Sequence, residues 1–312
     1  MTAATPSSGA AFGLQVTSAF AVPGLRQDPR SGTAGAVTVE RDEDPPSAWD
    51  GEPAMMKRSP GGRLLATQHH DDRRGHRLFA AGYGTFDIGP AGERIVCHPD
   101  PAAPEWVWQR LLLGQVLPYA AILHGVETFH AAAVEVDGRV MAIAGASGAG
   151  KSSLALNLAV AGATFSADDV VAIAAGGATV VLPGPAVANV RDTALRERAE
   201  SGAWPFGGIL GRSEESIRAT ILSEAAPAPL EALYFIDRGE QHSDVRFLPA
   251  DDVFRLIGHT FNILIGTPAR LTRQLDTCAR IAQRAALFEV RAAADIPAQR
   301  LAHAIGSHFA KL

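Results

Sequence analysis

An α/β fold built on a phosphate-binding loop, with a β-rich region ahead of it, is expected from three features of the 312-residue chain. Gly145-Ala146-Ser147-Gly148-Ala149-Gly150-Lys151-Ser152 fits the pattern G-x-x-x-x-G-K-[ST]. It stands between an apolar strand-like run (140–144, VMAIA) and an apolar helical run (153–160, SLALNLAV). The first hundred residues divide into short extended runs punctuated by Gly, Pro and Asp. From residue 230 onward strand-like and helical patterns alternate, as they do where strands pack under helices.

The loop carries the most chemical information. Its three glycines allow successive backbone N–H groups to turn inward around a phosphate. The start of the following helix adds unpaired N–H groups and the positive end of its dipole. Lys151 is expected to reach the β/γ-phosphates and the Ser152 hydroxyl to ligate Mg²⁺. Of the 28 basic residues only Lys57, Lys151 and Lys311 are lysines, so a compact ammonium stands at the loop in a stretch that otherwise uses arginine. Residues 145–153, Ser153 included, are therefore expected to cradle ATP with Mg²⁺.

Composition limits the alternatives. With 47% apolar and 20% charged residues, the chain can build a sizeable core in a soluble protein of one large or two ordinary domains. A net charge of −5 argues against a nucleic-acid partner. Cys97 and Cys278 are too few for a disulfide framework and lack metal-ligand spacing, so a reducing cytoplasm is expected. Residues 1–12 have no basic stretch or long apolar run, so they read as a loose tail and not as a signal peptide. The most apolar long segment, 106–123, contains Gln109, Arg110, Gln115 and Pro118. It reads as an amphipathic or kinked helix, not as a membrane span.

Taken in order, extended runs are expected at 14–22, 35–43, 63–68, 77–88 and 93–98, with a hairpin turn at Ala91-Gly92 and a long loop at 44–62. His69, His70 and His76, beside Asp71, Asp72, Arg73 and Arg74, read as a solvated polar loop, with a metal site as the alternative. A helix from 105 to 124 joins this region to the next. A strand over 128–136, turned by Asp137-Gly138, should pair antiparallel with the strand feeding the loop and bring His130 near it. The alternative is a strand histidine with no catalytic part. A strand over 163–166 leads to Asp168-Asp169, the Walker B arrangement in which a carboxylate holds Mg²⁺. Consecutive strand residues face opposite ways, so the two carboxylates should have distinct roles.

A loop opened by Pro183-Gly184-Pro185 runs to Arg191. Residues 192–229 read either as a mobile loop over the phosphates or as a helical excursion anchored by Trp204 and Phe206. Strands follow at 230–237, 245–248 and 287–290, and helices at 251–265, at 268–286 and from 297. Leu271, Leu275, Cys278 and Ala282 are expected on the buried face of the second helix, which makes Cys278 a core residue. The chain thus divides into a tail (1–12), a β-rich region (13–103), a connecting helix (104–125) and a phosphate-loop domain (126–312).

His130, the loop 145–152 and Ser166-Ala167-Asp168-Asp169-Val170, in this order and spacing, resemble the HPr kinase/phosphorylase superfamily, whose phosphate-loop core is shared with the phosphoenolpyruvate carboxykinases. The resemblance covers residues 124–182 well and the rest to 312 loosely. A subgroup of bacterial HPr-kinase-like proteins, some associated with lasso peptide biosynthesis, is also similar through a β-rich N-terminal region and a helix like LLLGQVLPYAAILHG (111–125). The resemblance implies an HPr-kinase/PEP-carboxykinase-like core and an ATP- and Mg²⁺-dependent serine kinase. Its acceptor would be a protein or peptide hydroxyl, including that of a ribosomal precursor peptide. His130, Lys151, Asp168 and Asp169 are the candidate catalytic residues, and Ser152 and Asp169 the candidate metal ligands. One of Asp168 and Asp169 would serve as base and the other would bind metal, a choice the sequence leaves open.

Two departures bear on direction. Ser153 stands where the bifunctional enzymes carry Glu, and no ERGLG-type signature lies between residues 182 and 230, so the resemblance implies kinase and not phosphorylase chemistry. Neither nucleic acid nor membrane is an expected partner, and self-association is left open. A regulatory nucleotide-binding module without transfer activity and a small-molecule kinase are the competing readings.

Overall fold

The computed structural model of the protein describes residues 6–44, 46–49, 52–174, 176–242, 244–250, 253–261 and 265–312. Eight N-terminal strands form one sheet: β1 (Ser7–Ala11), β2 (Leu14–Ser18), β3 (Gly35–Arg41), β4 (Met55–Arg58), β5 (Leu64–Asp71), β6 (Gly75–Ala80), β7 (Gly84–Ile88) and β8 (Arg94–Pro99). They lie in the order β1-β2-β3-β8-β7-β6-β5-β4, antiparallel except for the β2–β3 and β3–β8 pairs. Alternation drives the burial: Leu14 and Val16, Val37 and Val39, and Phe86 and Ile88 point inward while their neighbours are more open.

Three expectations are corrected here. The tail is not loose from residue 7 onward: Ser7–Ala11 pairs with β2, and Ala10, Ala11 and Phe12 are buried; residues 1–5 lie outside the described residues. The long loop at 44–62 contains strand β4. His69, His70 and His76 are not in a solvated loop but on the β5–β6 hairpin, where register pairs His70 with His76. His76 is buried and its Nδ1 lies 2.8 Å from the Tyr119 hydroxyl. Among the described residues no cluster of His, Cys, Asp or Glu is arranged to hold a metal ion.

The helix expected at 105–124 is one continuous run. α1 (Glu105–Leu111) passes through a widened π-turn at Leu112–Val116 into α2 (Leu117–Leu123). Pro118 has no N–H to give the preceding turn, and the widened turn accommodates its ring. The helix packs inside a core that also holds Phe12, Leu14, Phe86 and Ile95 on one side and Val170, Leu182 and Val187 on the other.

The following chain is a mixed α/β assembly. Its elements are β9 (Glu127–Phe129), β10 (Ala131–Val136), β11 (Arg139–Gly145), α3 (Lys151–Val160), β12 (Thr164–Ala167), β13 (Val171–Ile173), β14 (Val180–Leu182), β15 (Val187–Val190), α4 (Thr193–Glu200), β16 (Phe206–Arg212), β17 (Ile217–Ile221), β18 (Ala228–Gly239), β19 (Arg246–Pro249), α5 (Val253–Gly258), α6 (Pro268–Arg284), β20 (Ala286–Ala293) and α7 (Ala298–Phe309). At the centre β11, β18 and β20 run parallel. β10 and β12 extend the sheet on one side, and β14, β13 and β9 continue it from the start of β18. Leu154 and Leu158 of α3 and Ile305 and Phe309 of α7 cover one face, and Cys278 and Ile281 of α6 cover the other.

Residues 192–229, expected as a mobile loop or a helical excursion, instead supply α4 and two strands of a small sheet in the order β15-β17-β16. The helix expected at 251–265 is shorter, covering Val253–Gly258, and residues 251–252 and 262–264 lie outside the described residues. The buried face of α6 also differs from expectation. Leu271 and Leu275 are 47% and 54% exposed, while Arg270, Gln274, Thr277, Cys278 and Ile281 are buried. Electrostatics turns the helix: Glu127, fully buried on β9, draws in Arg270 at 3.4 Å and Arg273 at 3.1 Å. Among the described residues no helix is long and apolar enough to cross a membrane.

Candidate functional site

Two antiparallel segments break at the same level, and the break makes the site. The strand expected over 128–136 is interrupted at His130 into β9, paired to β13, and β10, paired to β11 and β12. Opposite it, β12 and β13 are interrupted at Asp168-Asp169. Phe129 pairs with Val171 on one side of the gap, and Ala133 with Ala167 on the other. The Val170 amide donates to the Asp168 carbonyl at 2.8 Å, closing a three-residue turn with Asp169 at φ +63°. A non-glycine residue seldom adopts this geometry, although a short polar side chain tolerates it best.

Backbone contacts fix the histidine. His130 Nδ1 lies 3.0 Å from the Asp169 carbonyl, and the His130 amide donates to the His259 carbonyl. A carbonyl can only accept, so Nδ1 carries the proton and Nε2 keeps its lone pair. Burial and the nearby Lys151 charge hold the imidazole below its ordinary range, so it is neutral at pH 7.

The loop between β11 and α3 lies at the carboxyl end of a central parallel strand, where open α/β sheets place their ligands. Gly148 and Gly150 have φ of +85° and +92°, and Gly150 caps α3, so a side chain at either position would be strained. Lys151 is 7% exposed and its Nζ donates to the carbonyls of Gly145 (3.0 Å) and Ala146 (3.1 Å). Burial lowers its pKa, while the Asp169 and Asp168 carboxylates act in the opposite direction. A cleft of about 330 Å³ is lined by His130, Ser147, Lys151, Ser152, Ser153 and Asp169, together with Asn189 and Arg191.

Asp168 is part-buried as a residue, but its Oδ1 is shut off from solvent and has no hydrogen-bond partner among the described residues. Burial and then the Asp169 carboxylate push its pKa up to about 7, against hydrogen bonds from the Ser152 hydroxyl and the Asp169 and Asn189 amides. The folded chain therefore holds this proton above the group's ordinary value of 3.8. Stability from this group is complete below that value and declines as pH rises towards 7. Asp168→Asn is expected to gain in melting temperature relative to the wild type between pH 5 and pH 8 in EDTA. A difference that stays flat over that range would contradict the shift.

The residues expected at the site thus come together, and three more that sequence reasoning missed join them. Arg110 of α1 lines this cleft and an adjoining cavity of about 250 Å³, as do His130 and Asp169. Arg218 of β17 lines the second cavity with Phe12, Tyr83, Asp168 and Phe261. Arg26, 4% exposed, donates to the carbonyls of Gly184, Ser223, Phe165 and Ser166, bracing the strand that ends at Asp168. One signal was available for Arg218: an arginine in the apolar strand IRATI.

No protein-family model and no curated protein matches the sequence. Among solved structures the chain is similar to the HPr(Ser) kinase/phosphatase from Coxiella burnetii, at 13% identity and a TM-score of 0.31, over 59% of this chain and 97% of that one. A TM-score that low does not establish a common fold.

Proposed function

We propose that the protein is an ATP- and Mg²⁺-dependent kinase that transfers the γ-phosphate to a Ser/Thr-type hydroxyl of a protein or peptide. The observation that carries this reading is the double break: it gathers His130, Asp168 and Asp169 beside a G-x-x-x-x-G-K-S loop, in a cleft that continues into a second cavity. A passive nucleotide-binding module needs no carboxylate pair at such a junction.

The donor set fits Mg·ATP. The unpartnered Asp168 Oδ1, close to the Ser152 hydroxyl, offers a cation one carboxylate and one hydroxyl, with the rest of the shell left to phosphates and water, as Mg²⁺ prefers. We therefore assign Asp168, in place of the expected Asp169, to the metal with Ser152. Asp169 borders both cavities and is assigned as the base that takes the acceptor's hydroxyl proton. Mg·ATP supplies the phosphoryl group and most of the charge neutralisation. Lys151 and the loop amides would hold the phosphates, and His130 would hold the turn carrying Asp169. The acceptor hydroxyl would enter from the second cavity.

Lys151→Ala is expected to remove the melting-temperature rise produced by Mg·ATP while leaving the unliganded protein folded. A one-site ligand stabilises by roughly 2.7 kcal/mol at a hundredfold excess over Kd, which a thermal scan resolves. A full rise in the variant would refute the assignment.

A further inference from the structure

The second cavity contains a group that the transfer chemistry leaves unexplained. Arg218 is 7% exposed, yet among the described residues its guanidinium forms no hydrogen bond or ion pair, although it lines the cavity. Burying a guanidinium unpaired is costly, and buried charges are ordinarily paired. Arg26, a comparably buried arginine, donates to four carbonyls. Arg110, half-buried on α1, also borders the cavity, and its guanidinium likewise forms no hydrogen bond or ion pair among the described residues. Burial and the Arg110 charge push Arg218 down to about 10, with Asp169 and Asp168 acting the other way. It therefore stays a cation at neutral pH.

Resting on the kinase reading above, we infer that this cavity is the acceptor subsite, and that Arg218, with Arg110 beside it, receives an anionic oxygen group, carboxylate or phosphate, carried by the acceptor near its hydroxyl. A guanidinium fork suits both groups because it presents paired N–H donors. About 250 Å³ is at the small end for ligand sites, so the cavity takes one side chain or a small molecule and not a folded surface. Phe12, Leu113, Val187 and Phe261 give the cavity an apolar wall that would hold the carbon frame, beside the polar side chains of Tyr83 and Gln115. Asp169 borders the same cavity, so a hydroxyl anchored through its neighbouring anion would face the proposed base.

The test uses the full chain without nucleotide and four probes, with dissociation constants measured by NMR. Lactate and glycerol 3-phosphate carry a hydroxyl beside a carboxylate or a phosphate; propane-1,2-diol and glycerol are their neutral counterparts. At least one anionic probe should bind and the neutral ones should not, and which anion binds identifies the group. Arg218→Met should weaken the anionic probe roughly tenfold or more, the scale of one lost charge-assisted contact. Lys151→Ala should change it by less than about twofold. For Mg·ATP the two variants should behave in reverse, so a failed phosphate loop and a failed anion subsite give different results. Arg218→Met should also melt above the wild type, since it removes an unpaired buried charge. If it does not fold, Arg218→Lys and Arg110→Met replace it, each expected to weaken the anionic probe. Absence of binding by every probe, equal binding of neutral and charged probes, or loss on Lys151→Ala with none on Arg218→Met would overturn the proposal.

Discussion

Asp169→Asn should lower turnover roughly 10²–10⁴-fold while leaving Mg·nucleotide affinity close to that of the wild type, the range expected for a positioned base. Asp168→Asn should fail differently. Its Oδ1 is buried and unpartnered, and the Ser152 hydroxyl acts on the same carboxyl group, so removing the charge takes away a ligand for the cation. Nucleotide affinity should then fall tenfold or more in the presence of Mg²⁺ and change little in EDTA. His130→Ala should resemble Asp169→Asn with a smaller loss, because the imidazole acts on the turn through the Asp169 carbonyl. Titrations with a non-hydrolysable ATP analogue and measurement of ATP turnover separate these outcomes. Two Asn variants that bind and turn over normally would remove the carboxylate pair from the reaction.

What could be read in advance followed the range of the interactions involved. The strand–loop–helix at 140–160, the Asp137-Gly138 hairpin and the alternating strands of the N-terminal sheet are set by local pattern, and each stands where expected. His130 was placed near the loop by the same hairpin. The break in its strand was not legible, because it exists only in register with the turn at Asp168-Asp169, about forty residues away. The buried face of α6 was misread for a similar reason. Leu271, Leu275, Cys278 and Ala282 fit a helical stripe, but the buried Glu127 of β9 recruits Arg270 and Arg273 and rotates two leucines outward. Arg110 and Arg218 carry no motif at all. They gain significance only when the helix after the first sheet and the small third sheet close on one cavity.

Arg26→Met should cost about 2–5 kcal/mol of folding stability, because buried carbonyls lose their charged donor. Its guanidinium reaches across the molecule at distances of 2.7–3.0 Å to four carbonyls, on Phe165, Ser166, Gly184 and Ser223. Burial lowers its pKa to about 10, which still leaves it charged, so the cation is held by carbonyl dipoles and not by a carboxylate. Methionine fills much of the volume but gives nothing back to the carbonyls, and each buried acceptor left alone costs about 1–3 kcal/mol. The Phe165 carbonyl keeps another donor, the Ser223 hydroxyl at 2.7 Å, and the Ser166 carbonyl keeps the Gly184 amide at 3.0 Å, so the loss falls mainly on the carbonyls of Gly184 and Ser223. Lysine should rescue little, since one ammonium cannot span four acceptors fixed by a planar fork. Because Phe165 and Ser166 belong to the strand ending at Asp168, turnover should fall with stability, and low temperature should restore it only in part. Urea unfolding checks the first claim, through a lower midpoint at an unchanged slope. A loss below about 1 kcal/mol would mean that the strand before the carboxylate pair is held by its sheet neighbours alone.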